Sequence, residues 1–172
     1  MFRIQEDHRA TNRATRSSGF SLIELLIVVA VILIIAGIAI PNFLRSKMAA
    51  NEGAAVANMR TITTSNVVYS TTYGIGYAAN LAKMATPPVP GPVTANAAGL
   101  LDGILAGGTK SGYVYTYVGG PVSTGGTIDV YTLQADPLTP NVTGMRHFFV
   151  DATGVIRFNS SGAAGPADTP VQ

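Results

Sequence analysis

One carboxylate raises the first chemical question in this sequence. Glu24 stands directly before Leu25–Leu44, a run of twenty residues without a charge. A charge at the centre of a membrane helix costs about 2.5 to 3.5 kcal/mol, and less near the helix ends, where a long side chain reaches back to water. A carboxylate kept at that edge calls for a cationic partner. The other residues with chemical capacity form no constellation. His8 and His147 lie far apart, and the chain has no cysteine, so neither a disulfide framework nor a thiolate metal site can be argued. Asp129, Asp136, Asp151 and Asp168 are spread through the second half without the dense spacing of a calcium loop. Asn141-Val142-Thr143 and Asn159-Ser160-Ser161 spell the glycosylation acceptor pattern. The chain is expected not to be an enzyme, and to need no cofactor.

Charge excludes one further class. The formal net charge is +2 and the isoelectric point is near 9.0. Four arginines (Arg3, Arg9, Arg13, Arg16) stand against Glu6 and Asp7 before Phe20, and the rest of the chain balances to zero. The basic character belongs to the first segment alone, so no nucleic-acid partner is inferred. With 172 residues there is room for one domain and an appendage.

The elements follow from these patterns. Twenty uncharged residues in a helix rise roughly 30 Å, the hydrocarbon thickness of a bilayer, and only a helix satisfies such a backbone in lipid. The arginines precede it, which leaves the N-terminus cytoplasmic and sends the C-terminal part across. The apolar run is too long for a signal peptide and leads into "PNFLRSKMAANEGAAVANMRTI", not into a small-residue exit site. A plain single-pass anchor would explain the length and orientation, but not Glu24 behind Gly19-Phe20.

The stretch "GFSLIELLIVV", Gly19 to Val29, resembles the processing and assembly motif of type IV prepilins and of the related type II secretion pseudopilins. The resemblance implies that a membrane-embedded aspartyl prepilin peptidase cuts between Gly19 and Phe20 and that Phe20 is then N-methylated. It makes Glu24 an assembly residue, paired with the new α-amine of Phe20 on a neighbouring copy. Pairing within one chain is the alternative, since i and i+4 share a helix face. Pro41 matches the family's helix-kinking proline. Leu33 stands where many pilins have a helix-loosening glycine, a part that falls here to Gly37. A kink or melted stretch is expected near Ile38–Pro41, because proline removes one backbone hydrogen bond and crowds the preceding turn. Major pseudopilins often bind calcium near the C-terminus, which makes Asp136 and Asp151 the candidates here; turn capping is the plainer reading of Asp151.

Beyond the apolar run, Met48, Val56, Met59, Ile62 and Tyr69, with Ala55 and Asn66 between them, mark one face of an amphipathic continuation that Gly74 and Gly76 should end. "YVYTYV" (113–118), "TIDVYTL" (127–133), "MRHFFV" and "GVIRF" read as about four antiparallel strands, the last two joined by a turn at Asp151–Gly154. The expected fold is α+β and pilin-like: a long N-terminal helix packed on a C-terminal antiparallel sheet. Its divisions are a cleaved leader (1–19), a membrane or filament-core helix half (20–44), an amphipathic half (45–76), a connecting loop (77–111), the sheet (112–159) and a flexible tail (160–172). The function this implies is that of a major pilin. It starts as a precursor in the inner membrane among lipid, serves as substrate of the peptidase and methylase, and is delivered by inner-membrane assembly machinery into an extracellular homopolymer. A type II secretion pseudopilin and a monomeric membrane-anchored binding module are the alternatives.

Overall fold

The structure, a computed structural model, describes residues 19–89 and 91–171. The expected leader therefore lies outside the described residues as far as Ser18. The chain divides into two compact units, the first ending at Ile40 and the second running from Pro41.

In the first unit the sequence forms the start of helix α1, which spans Leu22–Tyr73. Its large apolar side chains from Leu22 to Leu44 are between 47% and 78% exposed. No soluble core helix leaves its apolar surface so bare, and α1 is long and apolar enough to cross a membrane.

The second unit is α+β. The later part of α1 lays Ala55, Met59, Ile62, Ser65, Asn66 and Tyr69 into the interior, steps of three and four residues that keep one helix face inward. Against it packs a six-stranded antiparallel sheet in chain order: β1 Thr109–Lys110, β2 Tyr113–Gly119, β3 Tyr131–Pro137, β4 His147–Asp151, β5 Arg157–Asn159 and β6 Thr169–Pro170. Alternation sends Tyr113, Tyr115, Tyr131, Leu133, Ala135, Phe148 and Val150 into the shared core. Buried apolar side chains of this size contribute about 1.5 to 3 kcal/mol each.

Polar ties fix the register of helix on sheet. Asn58 Nδ2 donates to the Tyr115 hydroxyl at 2.9 Å, and Asn66 Nδ2 to the Tyr117 hydroxyl at 2.8 Å. Asn66 is fully buried, and its Oδ1 accepts from the Ala78 N–H at 2.9 Å while Tyr117 donates to the Ala78 carbonyl at 2.7 Å. A buried amide satisfied on both atoms can stay in a core. The helix ends at Tyr73, where Gly74 turns to φ 64°. Gly76 follows at φ 78°, so close to the Ile128 backbone that a Cβ would collide with it. Only glycine combines that dihedral with that approach.

Several boundaries differ from the sequence reading. The strand expected at 127–133 lies at Tyr131–Pro137, because Ile128 is taken by the segment that follows the helix: its N–H donates to Ile75 and its carbonyl accepts from Tyr77. The sheet gains two short edge strands beside the four expected ones. The connection at 77–111 is not merely a loop. It forms α2 (Leu81–Met84) and α3 (Gly103–Ala106) and buries Ala78, Leu81, Met84, Leu101 and Leu105. The segment 160–172, expected as a flexible tail, contributes β6 and the buried Ala164, whose carbonyl accepts from Gln134 Nε2. Asp168 closes that segment by accepting from the Gly165 N–H at 2.7 Å and from Asn159 Nδ2 at 3.2 Å. Finally, of the kink or melted stretch expected near Ile38–Pro41, melting is absent: α1 is helical throughout.

Candidate processing and assembly site

Gly19 and Phe20 precede the helix in exposed, non-helical backbone. Ser21 is the hinge between chain and helix: its carbonyl accepts the first helical bond from the Leu25 N–H at 3.3 Å. Its own N–H donates to Glu24 Oε2 at 2.9 Å. Glu24 is thus the third helical residue, reaching back to the residue that caps the helix, which is one half of a capping box. The amide that receives the carboxylate lies one residue from Phe20, and Glu24 itself remains exposed. The sequence reading missed this bond, although Ser21-Leu22-Ile23-Glu24 spells the S-x-x-E signature.

Pro41 lies inside α1. It has no N–H, and the carbonyl it would have served four residues earlier is that of Gly37. The two residues named as the flexible point are therefore the two ends of one missing hydrogen bond. Among the described residues, nothing outside the helix's own turns lies within 4 Å of where a Cβ on Gly37 would sit.

The structure does not bring Asp136 and Asp151 together. Asp151 pairs with Thr132, which lies four residues along β3 from Asp136, about 13 Å at strand rise. Asp136 Oδ1 is 2.6 Å from His147 Nδ1. Asp151 caps its turn through the Thr153 N–H at 2.9 Å and the Thr153 hydroxyl at 2.5 Å, and these bonds hold its carboxyl below the ordinary range. Among the described residues no group of three metal-binding side chains is assembled.

A second feature absent from the sequence reading joins the helix to the approach of β4. Glu52 Oε1 accepts from the N–H groups of Met145 (2.8 Å) and Arg146 (3.2 Å), and Oε2 accepts from Arg146 Nε at 2.7 Å. Burial alone would raise the Glu52 pKa, but the Met145 amide and the Arg146 side chain outweigh it, and the carboxyl is held below its ordinary value. The guanidinium in turn lies over the rings of Phe148 and Phe158. The available signal was a lone acid on the apolar stripe, three residues before Ala55 and seven before Met59.

Residues 14–40 match the family model for a prokaryotic N-terminal methylation motif. The type IV major pilin protein PilA of Myxococcus xanthus (strain DK1622) is 47% identical over 49 residues, which cover 28% of this chain and 22% of that relative. The likeness thus spans about a fifth of the relative's length. No solved structure matches the chain significantly. Over residues 14–40, a stretch that ends within its first helix, this chain is similar to the prokaryotic pilins that carry an N-terminal methylation motif.

Proposed function

We propose that the chain is the major structural subunit of a type IV pilus. The precursor is held in the inner membrane by the apolar part of α1, cut after Gly19 by a prepilin peptidase, and N-methylated on Phe20. Inner-membrane assembly machinery then adds it to a helical surface filament of identical copies. The observation that carries this reading is the methylation motif on a helix whose large apolar residues from Leu22 to Leu44 are all bare. In lipid that surface is solvated; in a filament the same surface packs against other copies. Glu24 is the residue that sets register, because its carboxylate is tolerable in a dry core only beside a cation. The chain is then a substrate of two enzymes, with no reaction of its own.

The absence of cysteine supports a second reading, a pseudopilin of type II secretion, since many major pilins close their C-terminal region with a disulfide. Mass analysis of N-termini in sheared extracellular material separates the readings. Abundant protein starting at methylated Phe20 is the expected result. The same N-terminus confined to the cell envelope would favour the pseudopilin, and an intact Met1 terminus would leave only an anchored monomer.

A further inference from the structure

The segment between β3 and β4 carries an apolar surface that neither the core nor the assembly helix uses. Leu138–Met145 contains no charged side chain, and Leu138, Val142 and Met145 are 57%, 60% and 51% exposed. The segment is built, not slack. The Asn141 N–H donates to the Gly144 carbonyl at 2.9 Å, the Thr143 N–H to the Thr139 carbonyl at 2.9 Å, and the Thr139 N–H to Thr143 Oγ1 at 3.1 Å. Gly144 lies so close beneath the Tyr113 ring that no side chain would fit there.

Its height along α1 is fixed by two contacts. Asn51 Nδ2 donates to the Thr143 carbonyl at 2.8 Å, and Glu52 holds the Met145 N–H at 2.8 Å. Asn51 follows Leu44, the last residue of the uncharged run, by about 10 Å of helix rise. The polar layer on each side of a bilayer's hydrocarbon core is about 5 to 7 Å deep, and helix tilt shortens the remaining gap. Arg45 and Lys47 lie exposed in that interval. Exposed apolar side chains on the loop and basic ones on the helix between it and the span are the two ingredients of a lipid-facing surface.

We propose that the Leu138–Met145 loop docks on the lipid surface while the chain is anchored, with Leu138, Val142 and Met145 entering the headgroup boundary and Arg45 and Lys47 meeting lipid phosphates. This rests on the reading of α1 as a membrane span. Lipid is the occupant, and not a second copy, because the distance from the end of the span to the loop is set within one chain, whatever its neighbours do.

The chain has no tryptophan, so a single introduced one reports alone. The full chain is placed in phosphatidylcholine–phosphatidylglycerol vesicles with or without brominated acyl chains, as Val142→Trp, Ile34→Trp or Val122→Trp. Val122 is exposed beyond the opposite end of β2. Bromine should quench the tryptophans at 142 and 34 and spare the one at 122. Quenching at 34 alone overturns the docking surface and keeps the span; no quenching at 34 overturns both. A blue shift at 142 without quenching, growing with protein-to-lipid ratio, overturns the proposal in favour of a second copy. Leu138→Trp repeats the test should Val142→Trp disturb the loop.

Discussion

At the scale of single residues, Glu24 has two occupations that substitution can separate. Its carboxylate caps its own helix through the Ser21 amide, and by the proposed function it also meets a cation on another copy. A glutamine keeps an acceptor oxygen for the cap and loses the charge; an alanine loses both. The Glu24→Gln chain should therefore keep the Ser21 amide protected from exchange, while Glu24→Ala should fray there, a cap being worth about 1 kcal/mol. Both should fail to form filaments. Filaments of ordinary yield from Glu24→Gln would remove charge pairing as the basis of register. The position of Glu24 was legible from the apolar run around it. Its cap was legible too, in the S-x-x-E spelling of four consecutive residues.

At the scale of elements, the Glu52 carboxylate ties α1 to the entry of β4. Its pKa is lower in the folded chain than in the unfolded one, so its contribution is complete above the unfolded value of about 4.3. That contribution fades as pH falls through the lowered folded value. Glu52→Gln should reduce stability at neutral pH by about 1 to 3 kcal/mol, limited because the partly exposed Arg146 can turn to water. Urea unfolding at neutral and acid pH should show the variant's loss shrinking towards acid; an equal loss at both would mean that the pair carries no charge-dependent stability. The helix, its terminus and most strand positions followed from apolar spacing and glycines, since those signals are local. The displaced β3 did not. Thr127–Leu133 alternates as well as Tyr131–Pro137 does, and only the contact of Ile128 with the segment after the helix decides between them. Buried Ala135 and Pro137 are too weakly apolar to announce a strand.

For the whole molecule, the first buried side chain among the described residues is Glu52, well inside the second unit. A chain beginning at Pro41 should therefore fold without detergent and unfold in one cooperative urea transition by circular dichroism. Aggregation, or a broad transition, would show that the apolar segment is needed for the fold. The sequence divisions erred where compact folding recruits sequence that reads as loop. Residues 77–111 are rich in glycine, proline and alanine, yet supply Ala78, Leu81, Met84, Ala98, Leu101 and Leu105 to the interior. The tail returns to pair with β5, because Arg157 Nη1 and Asn159 hold it at Asp168. That return has a consequence for crowding. The sheet's two outermost strands, β1 and β6, are two residues each, one carrying Lys110 and the other Pro170, which has no N–H. Neither rim offers a row of free amides on which another chain's backbone could zip. Crowded copies of a chain so built are thereby denied the cross-β route to clumping.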